Sequence, residues 1–161
     1  MIGVMGPGTG ASETDRQNAF ELGKLIAQKG WVLLTGGRDA GVMDAASAGA
    51  KVENGLTVGI LPTADDRGIS NAVDIAIITD MGNARNNINV LSSDVVIACG
   101  MGAGTASEVA LALKANKPVV LLTDHQESKL FFTSLSKDNI FLTTSPEAAI
   151  RLVNELLTAR R

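Results

Sequence analysis

The chain has 161 residues, of which 45% are hydrophobic and 19% charged, and its formal net charge is −3. That is enough apolar material for one globular domain with a core, and too little charge for a disordered chain. The acidic balance, with no basic run except Arg160-Arg161, argues against a general nucleic-acid surface, while a single cysteine and a single histidine leave no internal disulfide and no Cys- or His-based metal cluster.

The first five residues, Met1 to Met5, are apolar but lack a basic flank, so they do not read as a signal peptide. No run approaches the ~18 apolar residues of a membrane span. A cytoplasmic protein is expected. Ile2-Gly3-Val4-Met5 reads as the first strand, followed by the loop Gly6-Pro7-Gly8-Thr9-Gly10. Ser12 suits a helix N-cap, with Asp15 in the capping-box position, and Ala19, Leu22 and Ile26 fall on one face of that helix. Trp31-Val32-Leu33-Leu34 is the second strand, apolar on both faces as strands of a covered parallel sheet are. Thr35-Gly36-Gly37-Arg38 follows. A helix of small residues, Val42 to Ala50, is suited to close packing on the sheet or on another subunit.

Leu56 to Leu61 is the third strand and Ile75-Ala76-Ile77-Ile78 the fourth. Between them, Thr63 to Asn71 is polar and irregular, a solvated loop or a candidate lid. Gly82-Asn83-Ala84 leads into a helix from Arg85 to Leu91, and Val95-Val96-Ile97-Ala98 is the fifth strand. Cys99 sits at its end, beside Gly100-Met101-Gly102-Ala103-Gly104-Thr105, and Val109 to Lys114 reads as the helix after that loop. Val119 to Leu122 is the sixth strand, Leu130-Phe131-Phe132 a short helix, and Ile140-Phe141-Leu142 an edge strand. Ser145-Pro146-Glu147 opens the last helix. With no repeat and no linker, this predicts one domain over residues 1–161. The alternation predicts an α/β, doubly wound, mostly parallel sheet of about seven strands flanked by helices.

In such folds ligands lie beyond the carboxyl ends of the strands. Four loops open at that edge: Gly6 to Gly10, Gly36-Gly37-Arg38, Gly82 to Asn86, and Gly100 to Thr105. They bring backbone donors, hydroxyls and guanidinium groups together, which is the chemistry of an anion pocket. The candidate binding residues are therefore Gly6, Gly8, Thr9, Gly36, Gly37, Arg38, Gly82, Asn83, Arg85, Asn86, Gly100, Gly102, Ala103, Gly104, Thr105 and Glu108. Each piece also has a purely structural reading. The glycines turn the chain, Arg38 is a solvated charge, and Glu108 is an acid favoured in the first turn of its helix. Arg85 at a helix start is unfavourable unless an anion or a carboxylate faces it.

Gly102-Ala103-Gly104-Thr105-Ala106-Ser107-Glu108 resembles the Gly-x-Gly-Thr-x-x-Glu core of the LOG family. That family has a Rossmann-like fold, and its enzymes release a cytokinin base from its nucleoside 5′-monophosphate. Gly100-Met101 stands where the family has Pro-Gly, and Arg85-Asn86 where it has Arg-Lys. The Gly82-Asn83-Ala84-Arg85-Asn86 segment, the short chain and the glycine-rich first loop look more like the molybdenum cofactor carrier proteins, a related branch, over essentially the whole chain. This resemblance implies molybdenum cofactor (molybdopterin) as bound ligand, molybdenum-dependent enzymes as recipients, a homotetramer, and no catalytic residue. The glycine loops and Thr105 would hold the phosphate. Arg38, Arg85 and the asparagines would hold pterin groups or oxo oxygens. The alternatives are a nucleoside 5′-monophosphate phosphoribohydrolase, with Glu108 acting on the ribose and Asp80 or Asp44 as second carboxylate, and a nucleotide-binding protein.

Overall fold

The computed structural model describes residues 1–136 and 138–159; the basic pair Arg160-Arg161 lies outside them. Seven strands, β1 (Ile2–Met5), β2 (Leu33–Thr35), β3 (Thr57–Leu61), β4 (Ile75–Ile78), β5 (Val95–Cys99), β6 (Val119–Leu122) and β7 (Ile140–Thr143), form one sheet in the order β4-β3-β2-β1-β5-β6-β7. Every pairing is parallel. The order reverses between β1 and β5, so the chain runs out to one edge, returns to the centre, and runs out to the other. The doubly wound α/β reading therefore holds.

Six helices cover the two faces: α1 (Glu13–Gln28), α2 (Gly41–Val52), α3 (Arg85–Ser92), α4 (Ala103–Lys114), α5 (Gln126–Leu135) and α6 (Pro146–Ala159). Along β5 the side chains alternate between two cores. Val95, Ile97 and Cys99 join α1, α2 and α6, while Val96 and Ala98 join α3, α4 and α5. This two-sided burial is why β1, β2, β3, β5 and β6 read as continuous apolar runs. No described helix is long and apolar enough to cross a membrane.

Ser12 caps α1 with the reciprocal bonds of a capping box: Asp15 N–H donates to Ser12 Oγ at 3.1 Å and Ser12 N–H to Asp15 Oδ2 at 2.9 Å. The small residues of α2 serve contact with α1 as well as the sheet. A Cβ added at Gly23 would strike the Ala46 carbonyl, and one at Gly49 would strike the Phe20 carbonyl. Backbone thus lies against backbone, which side chains at either position would forbid.

Three readings are corrected. Helix α4 begins at Ala103, not near Val109, so Ala103, Gly104 and Thr105 are its first turn. Glu108 consequently lies in the second turn and is buried, no longer an acid favoured by the helix end. Helix α5 is also longer than Leu130 to Phe132, because Leu130 and Phe131 face outward and hide its amphipathic period.

The segment from Thr63 to Asn71 is tied to the loop after β2. Ile69 forms an antiparallel bridge with Arg38, Ser70 N–H donates to Gly37 O at 2.9 Å, and Asp39 N–H donates to Gly68 O at 2.8 Å. The buried Ser70 hydroxyl donates to Asp44 Oδ1 at 2.5 Å. In this structure it is a strap fixed to the sheet edge.

Candidate functional site

A cavity of about 340 Å³ opens beyond the carboxyl ends of β1, β2 and β5, against the point where strand order reverses. Its lining includes Gly6, Gly8 and Thr9 after β1, Gly36 and Arg38 after β2, Asn83, Arg85 and Asn86 at the start of α3, and Gly102, Ala103, Gly104, Thr105 and Glu108 along α4. Thirteen of the sixteen candidates therefore share one space. Gly37, Gly82 and Gly100 do not line it. Their φ values are 73°, 51° and 75°, so they turn the chain that places their neighbours.

The α4 end of the cavity is built for an anion. Gly102 is the N-cap and has no side chain to satisfy the first-turn N–H groups. Thr105 lies in that turn, 2% exposed, and its Oγ1 has no hydrogen-bond partner. A buried hydroxyl without a partner costs free energy, so its place in a cavity at a helix N-terminus fits a bound anion. The Asn86 amide donates to Ser107 Oγ at 3.0 Å, and Ser107 Oγ donates to Gly104 O at 2.6 Å, which fixes α3 against that turn.

Arg85 is 9% exposed. Its Nη1 donates to Gly36 O at 2.7 Å and to Ile60 O at 2.6 Å, so it clamps the ends of β2 and β3 while lining the cavity. Gly36 makes this possible, since a Cβ there would collide with the guanidinium. Burial, partly offset by the nearby Glu108, lowers the Arg85 pKa, and the positive charge of Arg38 lowers it further. Two guanidinium groups thus face one space, and Arg38 is the exposed one.

Glu108 is the acidic member of the described lining. It is 6% exposed, and Asn89 Nδ2 donates to its Oε1 at 2.9 Å. Burial pushes its carboxyl up to about 6, against the Asn89 hydrogen bond and the charge of Arg85. Neither Asp44, held by Ser70, nor the exposed Asp80 lines the cavity, so the second carboxylate expected for glycosidic hydrolysis is not beside it. Cys99 does not line it either; its thiol donates to Asp15 O at 3.4 Å, and burial pushes its pKa up to about 12. Met5, Ala40, Met43 and Asn89 were not singled out from the sequence. Only the fold brings them to the site, or in the case of Asn89 to Glu108.

The model of the SLOG cluster4 family matches residues 1–150. The chain belongs to this family. Among solved structures, this SLOG cluster4 protein is 60% identical to the molybdenum cofactor binding protein of Rippkaea orientalis, with a TM-score of 0.96, covering 97% of this chain and 96% of that one. It is 54% identical to the molybdenum cofactor carrier protein of Chlamydomonas reinhardtii, with a TM-score of 0.90, covering 98% and 97%. A more distant relative is a cytokinin riboside 5′-monophosphate phosphoribohydrolase of Mycobacterium tuberculosis, 34% identical over 98 residues, which are 56% of this chain and half of that protein. The resemblance to carrier proteins within the LOG superfamily, read from the sequence, agrees with these matches.

Proposed function

We propose that this protein binds and carries the molybdenum cofactor, with its phosphate at the N-terminus of α4 and the remainder of the ligand extending toward Arg38, Arg85 and Asn86. The observation that carries this reading is the unpartnered Thr105 hydroxyl, buried in a cavity at a helix N-terminus, in a chain 60% identical to a molybdenum cofactor binding protein. The backbone donors of Gly6, Gly8, Thr9, Gly102, Ala103 and Gly104 would cradle the phosphate, while Gly37, Gly82 and Gly100 would set the loop shape. Arg38 and Arg85 would supply the positive field that draws the anion into an otherwise acidic protein. Molybdenum-dependent enzymes would receive the ligand, and the carrier would work as a homotetramer in the cytoplasm.

The test is incubation with purified cofactor, gel filtration and metal analysis, with AMP as competitor. About one molybdenum per chain, little displaced by AMP, is expected of a buried one-to-one site. Loss of molybdenum on the column with retention of AMP would refute the reading. Arg38→Ala is the better probe of charge than Arg85→Ala, because Arg85 also clamps two strands. We expect Arg38→Ala to weaken cofactor binding by about tenfold while leaving the melting temperature nearly unchanged.

One observation favours a second reading. The raised carboxyl of Glu108 is suited to proton transfer, and a phosphoribohydrolase is among the relatives. Release of free adenine from AMP, abolished by Glu108→Ala, would establish it; base release no faster than in an enzyme-free blank would end it.

A further inference from the structure

An anion pocket has no evident use for a buried carboxylate, yet Glu108 lines this one. Its place is not explained by pairing with Arg85. The Arg85 Nη1 donates to two carbonyl oxygens, and Arg85 acts on Glu108 through its charge and not through a hydrogen bond. One carboxylate oxygen accepts from Asn89 and the other, Oε2, has no donor from the described protein. Glu108 follows Thr105 by three residues, close to one turn and about 4.5 Å along the helix. The cavity therefore presents donors for an anion at the start of α4 and a fixed acceptor one turn further in.

We infer that Glu108 is the residue that selects the ligand's ring, accepting hydrogen bonds from adjacent ring N–H and exocyclic amino groups of a fused 2-amino-4-oxo heterocycle. A carboxylate matches that donor–donor edge with two parallel bonds. Pterin carries this edge, and so does guanine. Adenine offers a ring acceptor beside its amino group, which would set two acceptors against each other. Hypoxanthine keeps the ring N–H and lacks the amine. Asn89 is the positioning residue, since its amide fixes the carboxylate from behind. The inference rests on the carrier reading for its natural ligand, but the edge it names can be tested with simpler molecules that also bear a phosphate.

Calorimetric titration of the full chain with GMP, IMP and AMP at pH 8, where Glu108 is ionised, tests the assignment. We expect GMP to bind tightest and AMP weakest, with GMP favoured over AMP by about tenfold or more, the scale of a charged bidentate contact. Glu108→Gln offers one acceptor and one donor, and should remove the preference while phosphate-driven binding of all three persists. Equal affinities in the wild type, no binding of any of the three, or an unchanged order in Glu108→Gln would overturn the inference. Molybdenum cofactor added to both proteins separates this from the parent reading. If wild type and Glu108→Gln retain molybdenum equally, the role of Glu108 fails and the carrier reading stands. If GMP is preferred but no molybdenum is retained, the carrier reading fails and the edge recognition stands.

Discussion

Thr105 and Glu108 are both buried at a cost in free energy, and each can be relieved by an isosteric change. The Thr105 hydroxyl is buried without a partner. Thr105→Val keeps the shape and removes that unsatisfied group, so thermal unfolding of the ligand-free protein should show unchanged or slightly higher stability, by up to ~1 kcal/mol. The same variant should bind phosphate-bearing ligands about fivefold more weakly, because one donor to the anion is gone. Glu108 makes the complementary case through pH. Its folded carboxyl sits at about 6, above the ordinary 4.5, so the folded chain holds this proton more tightly than the unfolded chain. Stability contributed by the neutral acid is full below pH 4.5 and lost as pH rises through 6. Above that, ionised Glu108 lowers stability by about 2 kcal/mol. Glu108→Gln should therefore melt higher than wild type at pH 8, with the gap closing toward pH 4.5 in a series of calorimetric scans. A gap independent of pH would mean that the carboxyl is not the cause.

At the level of elements, α1 and α2 meet backbone on backbone at Gly23 and Gly49. Gly23→Ala must separate the helices or bend one of them. Denaturant unfolding should show a loss of about 1–3 kcal/mol, although alanine is the better helix former in isolation. The strands were legible in the sequence because each is a short apolar run bounded by glycine, proline or polar residues, although only β1, β2, β3, β5 and β6 are buried throughout. Helix α1 was legible through Ser12 and Asp15. The start of α4 was not, because Gly102-Ala103-Gly104 has the composition of a loop, whereas the chain is helical from Ala103 on and the bare N–H groups of that turn are the feature of interest. Much of the site was legible for the same reason as the strands: glycines after apolar runs mark one sheet edge. Asn89 and Met43 carry no such local mark. They reach the site through packing of α3 on α4 and of α2 beside the loop after β2, contacts between segments far apart in sequence.

For the whole molecule, the two edges of the sheet differ in what they leave open. Strand β4 is apolar and exposed along its length, with Ile75, Ile77 and Ile78 each more than 40% exposed and Met81 beyond them. No charged side chain guards the strand from Ile75 to Ile78, the usual defence of a free edge. Such a surface is the expected seat of contact between copies in the proposed homotetramer. Ile77→Lys should reduce the mass measured by light scattering while leaving the circular dichroism spectrum intact; an unchanged mass would place the contact elsewhere. On the same half of the sheet, the strap from Thr63 to Asn71 joins β3 to β4 and is stitched to the loop after β2 by main-chain bonds and by the Ser70–Asp44 contact. Because that strap is already fastened, entry to the groove does not wait for it to move. Loading is then expected to be an encounter in one step, with an observed rate proportional to ligand concentration in stopped-flow mixing; a rate that levels off at high ligand would reveal a slower opening step. A carrier loaded in this way would deliver quickly to any recipient that grips harder, its release timed by that grip and not by this strap.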